Sequence, residues 1–443
     1  MRTLLLSASV LALGLTIPAA AQEMDHSMHE GMDMPMPMPE PKKAGEPMAM
    51  DHAAHGRMDM QDGGDDPFSE GSGTSRVPGA EGAEPGIHAM AGDWMLMAHG
   101  AVSAQYTSVS GPRGDDKLYS TSMLMLMAER DAGWGRIQLK SMFSLEPAMD
   151  PAGYPNLFAT GETAHGAPLV DRQHPHDLFM ELAGRVDFNV GKDASVFLYG
   201  GPVGEPALGP SAFMHRGSAA LNPEPPISHH WFDSTHITYG VVTAGLATPH
   251  WQFEGSAFRG REPDEHRWNI ESGKLDSWSV RGTWTPTPQW AVQASYGEIE
   301  QPEATHPGED ERRTTVSVHY ASGNGLSAMA AFSAKDRVPG DTLTAWLAEA
   351  NWNVSGRHNL FGRVENVAND ELFPDHAHPL HDRTFRVTKL QAGYAYALPV
   401  GPVTLALGGS VSTYFKPAAL GLYYGKQPVG ATVFAKVILG RKD

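Results

Sequence analysis

Apolar and polar residues alternate along most of this chain. The clearest stretch is DSWSVRGTWTPTPQWAVQASYGEI, from Asp276 to Ile299. In its first half Trp278, Val280 and Trp284 alternate with Ser279, Arg281 and Thr283. In its second half Trp290, Val292, Ala294 and Tyr296 alternate with Ala291, Gln293 and Ser295. A period of two puts one set on each face of a strand. Pro286 and Pro288 fall between the halves, where a missing N–H breaks no ladder bond, so the stretch predicts a hairpin. Each apolar face also has an aromatic at both ends. That spacing suits a membrane strand of about 9–11 tilted residues whose ends lie in the two interfaces.

The same pattern runs from Trp94 to Leu439. Strands are expected near 95–106, 118–128, 134–145, 177–189, 194–200, 236–247, 249–259 and 276–285. The second half adds 289–299, 313–321, 325–334, 342–353, 357–366, 384–397, 402–414 and 430–439, which makes about sixteen. Every second connection is short, as at 131–133, 191–193, 322–325 and 399–401, and the others are longer. Short turns at one end and long loops at the other are the outer-membrane pattern. The fold predicted is all-β, a transmembrane outer-membrane antiparallel β-barrel of about sixteen strands over 93–443, preceded by a disordered tail. A soluble four-bladed propeller would need a regular repeat of turn motifs, which the chain lacks.

Alternation also assigns the faces. Leu178, Met180, Leu182, Val186 and Phe188 are expected toward lipid, with Glu181, Arg185 and Asp187 toward the lumen. Ile137, Leu139 and Phe143 are expected outside, with Arg136, Gln138, Lys140, Arg281, His319, Arg363 and Glu365 inside. A charge on the lipid face costs about 2–4 kcal/mol at the midplane, so this sorting is required.

The ends of the chain add to the picture. Residues 1–21, MRTLLLSASVLALGLTIPAAA, read as a secretory signal peptide. Residues 22–66 are rich in Met, His, Asp and Pro and are expected to be disordered and periplasmic, and 67–92 reads as a Gly/Glu/Pro linker. There is no cysteine, so neither disulfides nor thiolate ligands are available. A net charge of −18 argues against nucleic acid as a partner.

The candidate chemistry is metal binding. MDHSMHEGMDM, from Met24 to Met34, recurs as MDHAAHGRMDM, from Met50 to Met60. Thioether sulfur suits Cu(I) and imidazole suits Cu(II), Ni or Zn. One copy offers Met24, His26, Met28, His29, Met32 and Met34, and the other Met50, His52, His55, Met58 and Met60. A second set lies in the long loops. His174 and His176 stand in one, His215, His229, His230 and His236 in the next, and His376, His378 and His381 in a later one, several beside an Asp that could fix a ring. The plainer alternative is that these are ordinary loop residues bonding the backbone and one another. No spacing joins a nucleophile, a base and an orienting group, so no enzyme activity is expected.

The signal peptide, the repeated Met-Asp-His tail and the C-terminal barrel together resemble the copper resistance protein B family of outer-membrane proteins. The resemblance implies periplasmic copper binding by Met24, His26, Met28, His29, Met50, His52, His55, Met58 and Met60. It also implies a periplasmic multicopper oxidase or copper carrier as partner, besides metal ions and outer-membrane lipid. The expected function is copper binding through the tail and copper resistance by sequestration or export. The alternative is a general porin or solute channel with an incidental Met-rich tail.

Overall fold

The computed structural model describes residues 66–440. The expected signal peptide and, apart from Asp66, the whole Met/His tail of 22–66 lie outside the described residues. Sixteen consecutive antiparallel strands close into one barrel. They are β1 (Trp94–Val109), β2 (Asp116–Asp131), β3 (Gly135–Phe143), β4 (Phe179–Asn189), β5 (Ser195–Gly204), β6 (Thr238–Ala247), β7 (Trp251–Phe258) and β8 (Ser277–Thr287). The second half is β9 (Trp290–Ile299), β10 (Asp310–Ala321), β11 (Leu326–Val338), β12 (Thr342–Ser355), β13 (His358–Asn369), β14 (Phe385–Val400), β15 (Val403–Phe415) and β16 (Val429–Leu439). Every segment expected as a strand is one. Closure comes where β16 pairs with β1, from Gly430↔Val109 to Ile438↔Ala101. Below that point a short strand, Ile87–Ala91, takes over the same edge and pairs with Trp94–Ala98.

The wall follows the alternation. Trp278, Val280, Trp284 and Trp290 are exposed on the outside, while Ser279, Arg281, Thr283, Gln293 and Ser295 are buried inside. Trp284 stacks on Trp251 at the short-turn end, and Trp278 lies against Tyr296 at the other, one aromatic pair per rim of the apolar belt. Short turns occupy one end throughout. The long-loop end holds one exception, the tight connection 339–341 between β11 and β12.

Two expectations are corrected. Met180, expected toward lipid, is buried inside with Met125, Met142 and Tyr239. The β4–β3 register shifts between Phe179 and Glu181, and this bulge turns two successive side chains inward. The stretch 67–92, read as a linker, is folded. Phe68–Glu70 and Arg76–Pro78 form a hairpin within the lumen at the short-turn end. Lys140 and Gln293 donate to the carbonyls of Gly73 and Arg76 at 3.0 Å each, Gln252 donates to that of Thr74 at 2.7 Å, and Arg136 pairs with Glu70 at 2.7 Å. A polar lumen satisfies polar side chains as an apolar core cannot, so a segment of loop-like composition can fold there.

Candidate metal centre

The lumen is filled chiefly by the connection 205–237, nearly all of it buried. The inner wall holds it with charge. Arg216 bonds Glu349 of β12 at 2.7 Å and Asp233 at 3.0 Å, and Arg363 of β13 bonds the other oxygen of Glu349 at 2.8 Å. Lys389 of β14 pairs with Glu224 at 2.8 Å, and Arg281 of β8 donates to the Gly209 carbonyl at 3.1 Å. Within this connection one helical turn, His229–Phe232, buries Trp231 and Phe232 in the largest apolar cluster of the lumen. The anchored turn points His229 and His230 in different directions.

Five imidazoles meet around it. His229 lies 5.4 Å from His230 and 5.1 Å from His236, ring centre to ring centre; His176 lies 5.5 Å from His236, and His174 lies 6.2 Å from His229 and 6.3 Å from His230. All five are buried. Four of them have Nδ1 committed: His174 to the Pro175 carbonyl (3.1 Å), His176 to Glu146 (2.9 Å), His229 to Asp233 (2.9 Å) and His236 to the Asp233 carbonyl (2.7 Å). A carbonyl only accepts, so Nδ1 of His174 and His236 must carry the proton and Nε2 must present a lone pair. Nε2 of His174, His176 and His236 has no hydrogen-bond partner. Burial holds His174 and His236 well below the ordinary imidazole range, with neighbouring imidazoles adding to it at both and Arg267 at His174, so both rings are neutral.

The tightest set is Glu162, His174 and His230, whose donor atoms all lie within 4.8 Å of one another. Arg267 holds one oxygen of Glu162 at 2.8 Å, and the other faces Nε2 of His174 at 3.3 Å. Two lone pairs therefore face each other in a buried site, an arrangement that calls for a cation or a proton between them. Burial, with Glu262 nearby, raises the Glu162 carboxyl above its usual range, so a proton can fill the gap when no metal does. Around one ion, neighbouring nitrogen and oxygen donors bound at ~2.0–2.2 Å stand roughly 3–4 Å apart, so small side-chain movements would complete the shell.

His230 has a different environment. Burial alone would lower its pKa, but the carboxylates of Glu262, Glu303 and Glu162 outweigh this and push it up to about 9. Its position depends on Gly161, which has φ +109° and where a Cβ would meet Nδ1 of His230 at 2.6 Å. A Gly161→Ala chain is expected to lose the His230 ligand position and about 1–3 kcal/mol of stability. A divalent-ion titration beside a urea unfolding curve reads both, and an unchanged titration would show that His230 is not needed.

Of the loop histidines singled out in sequence, His174 and His176 join this cluster with His229, His230 and His236. His376, His378 and His381 form a separate group. His376 and His381, 4.3 Å apart, line a mouth cavity of about 480 Å³ shared with His306 and Glu371. His378 turns away to stack on Phe373 at 4.5 Å, and its Nδ1 accepts the Leu380 N–H. His306, which the sequence reading did not single out, groups with Glu303 and Glu371, all within 4.8 Å. Glu303 also lies 3.8 Å from His230, so it links the mouth group to the buried one.

No family model matches the chain, and no curated protein matches it. Among solved structures it is similar to an anion-selective porin from Comamonas acidovorans, with 12% identity, a TM-score of 0.50, and coverage of 78% of this chain and 100% of that one. It is also similar to Salmonella typhi OmpF in its complex with daunomycin, with 9% identity, a TM-score of 0.52, and coverage of 80% and 100%. At these identities the likeness is one of fold: a sixteen-stranded barrel of the outer-membrane porin type.

Proposed function

We propose that this outer-membrane barrel handles a transition-metal cation, and that the buried set Glu162, His174 and His230 takes a borderline divalent ion of the Cu(II) or Zn(II) class. The observation that carries the reading is the unpaired, neutral Nε2 of His174 facing the Glu162 carboxylate in a buried site. Imidazole with one carboxylate is the donor set such ions prefer, and the Nδ1 bond of His174 to the Pro175 carbonyl is the outer contact that orients a ligating ring. Copper binding by the Met/His repeats of 22–66 belongs to the same proposal, as a capture site outside the described residues.

The pH dependence tests it. Ligation needs neutral imidazole, whereas His230 is protonated up to about pH 9 in the ion-free protein. Zn(II) binding should therefore release a proton and strengthen by up to about tenfold per pH unit until that value is reached. A rise that is lost when Glu162 or His174 is replaced belongs to the buried set. Titration calorimetry in two buffers of different ionisation enthalpy reads the proton. Disappearance of this component in Glu162→Gln and His174→Gln chains is the expected result, and its persistence would remove the reading. A second reading, a general solute porin, draws on the likeness in fold, and an open conductance would favour it.

A further inference from the structure

A second group of donors stands apart from the histidine cluster. On the inner wall His99 of β1 lies opposite Met125 of β2, and Met125 lies opposite Met142 of β3. Antiparallel register thus sets an imidazole and two thioethers in one row, and all three side chains are buried. The bulge at the start of β4 brings Met180 inward against this row. From the lumen side the connection 205–237 delivers His215, whose Nε2 lies 3.4 Å from the Met142 sulfur. Glu84 joins the two imidazoles, 2.8 Å from Nδ1 of His99 and 3.3 Å from Nδ1 of His215. Donor atoms of Glu84, His99 and His215 all lie within 4.8 Å of one another.

We infer that His99, His215 and Met142 form a binding site for a soft monovalent cation, Cu(I) or Ag(I), inside the barrel, with Glu84 holding Nδ1 of both rings and supplying the counter-charge. Three features point to this class. A nitrogen and a sulfur 3.4 Å apart match two neighbouring donors on one ion bound at about 2.0 and 2.3 Å. Thioether sulfur is a soft ligand that hard and borderline ions have little use for, and further thioethers, Met125 and Met180, back the site. Charge fits as well. Glu84 with neutral donors balances one positive charge, and of the other charged groups near the site Glu181 and Glu205 favour a cation while Lys436 opposes it. The site goes beyond the divalent reading above, since it uses other residues and another class of ion.

Ag(I) is the probe, as a stand-in for Cu(I) that does not change oxidation state. Crystals of the full chain are soaked in silver nitrate, and anomalous density is measured. A peak between the Met142 sulfur and His215 Nε2, absent from the Met142→Leu chain, is the expected result. That exchange conserves volume, so the barrel persists; should it not fold, His215→Gln removes the nitrogen donor instead and must also abolish the peak. Silver found elsewhere on the chain only, or a peak surviving both substitutions, overturns the site. A parallel Zn(II) soak reads Glu162 and His174 separately, so the two readings stand or fall independently.

Discussion

Reconstituted into planar bilayers, the full chain is expected to conduct ions at least roughly tenfold below an open barrel of sixteen strands, which normally encloses an aqueous channel. The obstruction is the connection 205–237, fixed to a large part of the wall. Arg281 holds the Gly209 carbonyl, Arg313 bonds Ser234 at 2.9 Å, and Glu349 takes Arg216 and, at 3.0 Å, Ser218. Glu365 receives both the N–H and the hydroxyl of Ser228, at 3.0 and 2.8 Å, and Lys389 pairs with Glu224. With Ser256 of β7 accepting from the Ala207 N–H at 2.8 Å and Lys436 of β16 donating to the Ala220 carbonyl at 2.9 Å, these contacts tie the loop to the wall from β7 round to β16. Replacing 207–236 by a short turn should raise the conductance, short of a fully open barrel because the hairpin 68–78 still narrows the short-turn end. Porin-sized steps from the unaltered chain would instead favour a general solute channel.

The largest loss of stability is expected from Glu349→Ala. Its carboxylate is shared by Arg216 and Arg363, and all three side chains are at most 1% exposed. Removing it leaves two guanidinium groups facing each other in a buried site, and breaking a buried pair in this way costs about 3–5 kcal/mol. Because Arg216 also carries the loop, the damage should show as a lower urea midpoint together with a leak conductance. Glu349→Gln keeps the acceptor oxygen and should show a smaller version of both. If the alanine chain unfolds at the original midpoint and stays closed, Arg216 is held by Asp233 and the Ser211 carbonyl alone.

The wall was legible because its signals are local. A lumen-facing Arg281 between lipid-facing Val280 and Gly282 can be read from three residues, and aromatics at 278, 284, 290 and 296 mark the rims. What fills the wall was not legible by the same means. Residues 67–92 have the Gly, Ser and Glu of a solvated linker, yet Thr74, Ser75 and Arg76 are buried. The usual rule equates polar with exposed, and a polar lumen reverses it. Met180 was misassigned because a bulge is a relation between two strands and leaves no trace in one of them. The metal centre was half legible. His174-Pro-His176 and His229-His230 stand out as pairs, but only the inward fold of both connections brings them together. The row His99, Met125 and Met142 was invisible, since its members lie on three strands and meet through register alone.

The short strand Ile87–Ala91 has a consequence for how such a barrel comes to be sealed. β1 runs on beyond the last partner that β16 can offer, which pairs at Ala101, and the residues from Ala98 down to Trp94 would otherwise carry a row of free N–H and C=O groups. A bare edge of this kind recruits any extended segment nearby, including the same segment of another copy. The chain forestalls this by hemming the edge with its own upstream backbone. Sixteen strands are therefore enough to define the hoop but not to finish it, and the piece that finishes it is the one tied directly to the hairpin inside.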